Sequence, residues 1–178
     1  NNIWDANEWV IVRANVSNMT PLWHNKELRW LGSNLNWNDN SNWEELDSTP
    51  ATYAPDAGCD IVIPSTINNP TISGRASCNN MTINSGAVVT INAQNFLVTG
   101  SSITNNAGVS GLIVKSDASG DGMLLLGSET VQATIERYLI DDQSHLISAP
   151  ITDATADNLF QDHNPEVYLY EHNEWDDS

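Results

Sequence analysis

The sequence predicts an all-β fold: a short right-handed parallel β-solenoid closed by a Trp-rich N-terminal cap, with a β-sandwich as the alternative. Three observations lead there: strand-type alternation, a self-similar central region, and two cysteines one repeat apart. In WVIVRANV (9–16), Val10, Val12, Ala14 and Val16 fall on one face of a strand. CDIVIP, MTINSGAVVTI, NFLVTG, GLIVKS, GMLLLGS and ATIERYLI follow, each short and each bounded by Asn, Gly, Ser or Pro. An apolar stripe of helical period is limited to a turn or two at TADNLFQD (155–162).

Self-similarity begins at residue 59. CDIVIPSTINNPTISGRAS (59–77), CNNMTINSGAVVTINAQ (78–94), NFLVTGSSITNNAGVSG (95–111) and LIVKSDASGDGMLLLGS (112–128) lie under one another as turns of similar length. One such coil cannot bury its own apolar face, so a stack of coils is the expected solution. A sandwich of short, turn-bounded strands answers the same alternation. The Asn pairs at 68–69, 79–80 and 105–106 fall at corners, where Asn tolerates left-handed backbone and bonds its own main chain. Cys59 and Cys78 then occupy equivalent places in successive coils, each opening its turn. Stacked strands lie ~4.8 Å apart, within the Cα reach of a disulfide. A Cys59–Cys78 bridge is expected, worth roughly 3 kcal/mol in the loop-entropy model, with two unbonded buried thiols as the alternative.

Composition restricts the function classes. The chain of 178 residues fits one domain with pieces of its neighbours. Its 23 acidic and 6 basic residues give a formal charge of −17, a field that repels nucleic acid and anionic membrane. No stretch approaches the ~18 to 20 apolar residues of a membrane helix. Abundant Asn, Ser and Thr with little Lys lean toward an extracellular protein. The opening NNIWDANEWV reads as the interior of something longer and EHNEWDDS ends in mid-element, so a piece of a larger protein is expected. Three segments are expected: residues 1–29 as a strand or linker closing a preceding domain, 30–140 as the capped solenoid, and 141–178 as a β segment leading onward.

WLGSNLNWNDNSNW (30–43) sets three tryptophans among small polar residues. With the proline-rich STPATYAPDAGCDIVIP, then NPTIS and CNNMTINSGAVVTI, it resembles a module of secreted, multidomain cell-surface proteins of Bacteroidetes, often exported by type IX secretion. The shared pattern is Trp-Gly, a second Trp after Ser and Asp or Asn, then Asn-Trp and an Asp-x-Val-x-Ile-Pro strand. It covers residues 30 to about 140, and HLISAPI and VYLYEHNEW resemble the segment that follows the repeats. One departure is the Leu between Trp30 and Gly32. The resemblance implies an extracellular β-rich module with surface, adhesive, filament-associated or enzyme-accessory roles, and no particular chemistry.

The tryptophans carry two readings. A solenoid's open end needs a cap, and Trp30, Trp37 and Trp43 can each bury ~150 to 250 Å² there. The other reading makes Trp37 and Trp43 a flat platform for sugar rings. Trp4, Trp9 and Trp23 could pack likewise or belong to a preceding domain.

Other constellations carry less. DASGDG (117–122) offers Asp117, Ser119 and Asp121 at alternate positions with a turn glycine, as a calcium loop does, but the twelfth position is Ser128 and Glu129 comes one residue late. No cofactor is expected, with calcium at this loop as the alternative. Ser144 and His145 beside Asp141 and Asp142 lack the elbow of a hydrolase triad, and structural roles are expected. His163 and His172 lie among carboxylates that nothing brings to one face. A polysaccharide lyase needs a basic group near its substrate, and the coils offer only scattered Arg75, Lys115 and Arg137. Sequons stand at Asn15, Asn18 and Asn80, and Asp47-Ser48-Thr49 resembles an O-glycosylation site of the same phylum with Ser48 as acceptor.

The expected function is a non-catalytic structural or adhesive module of an extracellular surface protein or filament. Its expected partners are copies of itself, neighbouring domains or polysaccharide. Carbohydrate binding through exposed tryptophan is the alternative, and a piece of a polysaccharide-degrading enzyme the third reading.

Overall fold

The computed structural model describes residues 24–127 and 130–140. The 9–16 strand, Trp4, Trp9, Trp23, Asn15, Asn18, Ser128, Glu129, the turn at 155–162, the Ser144–His145 group, His163 and His172 lie outside them, as does the 141–178 segment.

Three parallel sheets surround one core. The first face holds β1 (Glu27–Trp30), β3 (Asp60–Ile63), β6 (Met81–Ile83) and β9 (Ile103–Asn105), with β2 (Trp43–Glu45) antiparallel outside β1. The second holds β4 (Thr71–Ile72), β7 (Val89–Ile91), β10 (Leu112–Val114) and β14 (Thr134–Ile135). The third holds β5 (Arg75–Cys78), β8 (Phe96–Thr99) and β13 (Met123–Leu125). The hairpin of β11 (Ser116–Asp117) and β12 (Gly120–Asp121) leaves the third coil between its second and third faces. The chain therefore visits the faces in rotation, β3-β4-β5, β6-β7-β8 and β9-β10-β13, and the fold is a β-solenoid of about three turns. Parallel pairing between strands one coil apart overturns the sandwich alternative, whose sheets are antiparallel.

Alternation explains each strand. Ile61 and Ile63, Met81 and Ile83, Val89 and Ile91, and Leu112 and Val114 point inward and are buried, while the residues between them face out. Stacking sets like on like: Ile61 on Met81, Ile63 on Ile83, Ile72 on Ile91, Leu112 on Val89. Each fully buried side chain of this kind contributes about 1.5–3 kcal/mol relative to exposure.

The register corrects the expected period. On the first face Ile61 is matched with Met81 and Met81 with Ile103; on the second, Thr71 with Thr90 and Thr90 with Ile113. The second of these steps is the longer one on both faces, and the next step on the second face, from Ile113 to Thr134, is shorter again, so coil length varies. Rows of near-constant length therefore slip out of phase, because NFLV belongs to the third face and LIV to the second. Strands on all three faces share one alternation, so sequence similarity alone cannot tell which face a strand occupies.

The slip leaves the two cysteines in equivalent places in successive coils, as expected. The Asn79 N–H donates to the Cys59 carbonyl at 2.7 Å, as the Gly100 N–H donates to the carbonyl of Cys78, which is matched with Thr99, so Cys59 is matched with Cys78. Cys59 precedes β3, Cys78 ends β5, and both are buried free thiols.

Candidate functional site

The tryptophan loop is the most elaborate local structure. Trp30, at the end of β1, and Trp43, at the start of β2, are paired across antiparallel strands, and Trp37 lies on the loop between them. The Trp37 N–H donates to the Thr71 carbonyl, and Asn36 bridges to Thr71, so this loop starts a row above β4. Trp43 meets Trp30 and Trp37 edge-on, with ring centroids 5.1 and 5.0 Å apart. All three rings are 1% exposed or less. They close the N-terminal end of the core, as the cap reading expects. The sugar-platform expectation for Trp37 and Trp43 is corrected: neither ring presents a face to solvent.

Polar neighbours of the rings answer why Asn and Ser surround them. Burying aromatic rings in a loop strands backbone polar groups, each costly unless bonded. Asn42, fully buried, accepts from the Asn34 N–H at 2.7 Å and donates to Asn34 Oδ1 at 2.7 Å and to the Asn36 carbonyl at 2.8 Å. Asp39 accepts from the Ser41 hydroxyl and N–H and from the Asn34 amide, which hold its carboxyl below the usual range. Gly32, at φ +72°, passes where a Cβ would come within 2.9 Å of the Asn68 carbonyl. Trp30 donates to that carbonyl at 2.7 Å, so the Leu31-Gly32 departure leaves the ring anchored.

A polar column runs up the corner entering the first face. Asp60 Oδ1 accepts from the Asn79 and Asn80 amides, each at 2.8 Å, and Asn80 Oδ1 accepts from the Ser102 hydroxyl at 3.0 Å. The expected Asn corners thus bond coil to coil, and the Asn80 sequon lies within this column. Beside it opens a shallow polar concavity lined by Asn25, Lys26, Glu27, Gly58, Asp60 and Asn79.

The thiols sit nearby. Cys59 Sγ donates to the His24 carbonyl at 3.1 Å, and burial pushes its thiol up to about 11. Burial pushes Cys78 up to about 12. Asp56 accepts from the Gly58 and His24 N–H groups and lies 2.6 Å from His24 Nδ1. Burial works to raise the Asp56 carboxyl, and these bonds outweigh it and hold the group low. The His24 ring stacks on Tyr53 at 3.7 Å. Sequence reasoning missed this cluster because His24 lies far along the chain from Tyr53 and Asp56, across the whole tryptophan loop.

Asp117, Ser119 and Asp121 lie together in the hairpin, as their proximity in sequence requires. Asp117 accepts from the Ser119 N–H at 2.7 Å and from its hydroxyl, which lowers its carboxyl, while Asp121 accepts from the Ser116 hydroxyl at 2.6 Å and pairs with Arg137. The hairpin is an enlarged corner. Residues 92–95 join β7 to β8, whereas 115–122 join β10 to β13. Both carboxylates at the calcium-like spacing are hydrogen-bonded within the turn.

The scattered bases are accounted for in different places. Lys115 pairs with Glu136 at 2.5 Å, Arg137 with Asp121, and Arg75 lies over the Phe96 ring at 5.6 Å on the third face. The structure does not bring these three together on one face. Ser48 occupies an exposed turn at φ +67°, between β2 and Pro50, where its hydroxyl is open to modification.

Fold and cap together define a tryptophan-capped β-solenoid module. Residues 29–175 match the family model described as Domain of unknown function (DUF8693), and the chain belongs to that family. No curated protein and no solved structure matches it.

Proposed function

We propose that the chain is a structural module, a rigid spacer or building block of an extracellular surface protein or filament. The observation that carries this reading is the burial of Trp30, Trp37 and Trp43 around the Asn42 hydrogen-bond hub. The residues most suggestive of ligand chemistry thereby seal the end of a stack. A closed head on a stack of short coils makes a stiff element of set length. The resemblance to secreted surface proteins of Bacteroidetes, together with the Asn- and Thr-rich corners and the charge of −17, supports an extracellular setting.

Two measurements test the reading. The purified chain is expected to unfold in one cooperative transition and to show no saturable binding to a panel of neutral and acidic polysaccharides. Protease added to intact cells that make the protein is expected to cleave it. Saturable polysaccharide binding, abolished by a substitution that leaves the fold intact, would replace the structural reading with a carbohydrate-binding one. Protection in intact cells but not in lysed ones would remove the extracellular assignment.

A further inference from the structure

The three outer faces differ in chemistry. On the first, the outward columns are Glu27, Asp60, Asn80 and Ser102, and Arg29, Val62, Thr82 and Thr104. On the second, Thr71, Thr90, Ile113 and Thr134 form the central outward column. On the third, register stacks Arg75, Phe96 and Met123 in one column and Ser77, Val98 and Leu125 in the other. Met123 is 56% exposed and Leu125 43%. The third face is thus an apolar sheet surface whose strands carry no acid, in a chain of charge −17. Its only charge is Arg75. Lys26, Arg29, Lys115 and Arg137 are all ion-paired, whereas Arg75 has no ion-pair partner among the described residues.

We infer that this third face is a self-association surface, on which two copies of the chain pack about a twofold axis running along the strands. The inference deepens the structural reading above and rests on it. That axis, placed over β8, lays Phe96 against the Phe96 of the second copy and reverses the order of the rows. Arg75, at the start of the first row, then lies over the start of the third row of the other copy. That row begins at the β11–β12 hairpin, which carries exposed Asp117, bonded among the described residues within its own turn. Each copy supplies one base and one acid, so the contact is made twice, as an isologous interface requires. On the first face two copies would meet acid against acid or ion pairs already made, and the uncharged Thr and Ile column of the second face offers no charge to complement, so charge complementarity favours the third face.

Size sets the strength. Three strands of three or four residues, spaced ~4.8 Å, cover well under the roughly 1,200 Å² total of a stable complex. The pair is therefore weak, and it becomes effective when many modules are held side by side and effective concentration replaces affinity.

The test is sedimentation equilibrium of the full 178-residue chain from micromolar to millimolar concentration, with hydroxyl-radical footprinting of Met123 along the same series. The weight-average mass is expected to rise toward that of a dimer, with Met123 protection rising in step. Arg75→Glu is expected to weaken the dimer about tenfold, and Arg75→Glu combined with Asp117→Arg to restore it. Both positions are exposed, and unchanged far-ultraviolet circular dichroism verifies the fold. A chain that stays monomeric at millimolar concentration overturns the inference, as does a dimer indifferent to Arg75→Glu. Met123 protection that does not depend on concentration also overturns it, since the face is then covered from within the chain. A monomer still exposed on intact cells ends this inference and leaves the structural reading standing.

Discussion

Trp43 donates its indole N–H to the Trp37 carbonyl at 2.8 Å while its ring meets that of Trp37 edge-on. Trp37 itself has a buried indole N–H with no acceptor among the described residues. The two rings contribute similar apolar area and differ in this one polar atom. Trp43→Phe is therefore expected to destabilise the fold by about 1–2 kcal/mol more than Trp37→Phe, because it also orphans a buried carbonyl. Urea unfolding of both variants measures the difference. Equal losses would mean that ring volume alone governs the cap.

Asp39 closes the polar loop over those rings, and its carboxyl is held low by bonds from Ser41 and Asn34. A group depressed in the folded state contributes stability that is fully present above its unfolded pKa and lost as pH falls through its folded value. Asp47, bonded by Thr49, and Asp117, bonded by Ser119, have the same sign. The melting temperature is expected to hold from neutral pH to about pH 5 and to fall below about pH 4. Asp39→Asn should shrink that fall. A melting temperature that climbs in that acid range would show that relief of the −17 charge outweighs the lost bonds.

Burial raises the Cys59 and Cys78 thiols to about 11 and about 12, far from the thiolate form at neutral pH. Iodoacetamide is expected to leave both untouched in the folded chain at neutral pH, and to label both once the chain is denatured. Mass spectrometry counts the adducts. Denatured protein that accepts label only after reduction would show that the two stacked sulfurs had bonded.

Replacing residues 115–122 with the four residues Asn92–Asn95 gives the third coil the corner that the second already has. The change removes the exposed Lys115–Glu136 and Arg137–Asp121 pairs, each worth about 0–1 kcal/mol. Cooperative unfolding is expected to survive, with a loss of about 2 kcal/mol or less. Millimolar calcium is expected to move the parent's melting temperature by less than about 1 °C. A rise of several degrees, absent from Asp117→Asn, would make the hairpin a cation site.

Much of this molecule was legible in its residues. Alternation in CDIVIP and MTINSG marks the strands because side-chain direction is a local property of extended backbone. The Asn and Gly clusters mark the corners for an equally local reason, and tryptophans set among Asn and Ser could be read as a cap because buried rings require bonded backbone around them. The face each strand occupies was not legible. The step between matched residues is short from Thr71 to Thr90 and much longer from Phe96 to Met123, as corner length varies, and only hydrogen bonds between coils decide it. Those bonds stacked Cys59 on Cys78, gathered His24, Tyr53 and Asp56, and stacked Arg75, Phe96 and Met123 into one outward column. The sequence by itself determined that this chain forms stacked strands with polar corners and a tryptophan seal. The tertiary structure alone decided which side chains meet, because neighbours in a solenoid are a full coil apart along the chain.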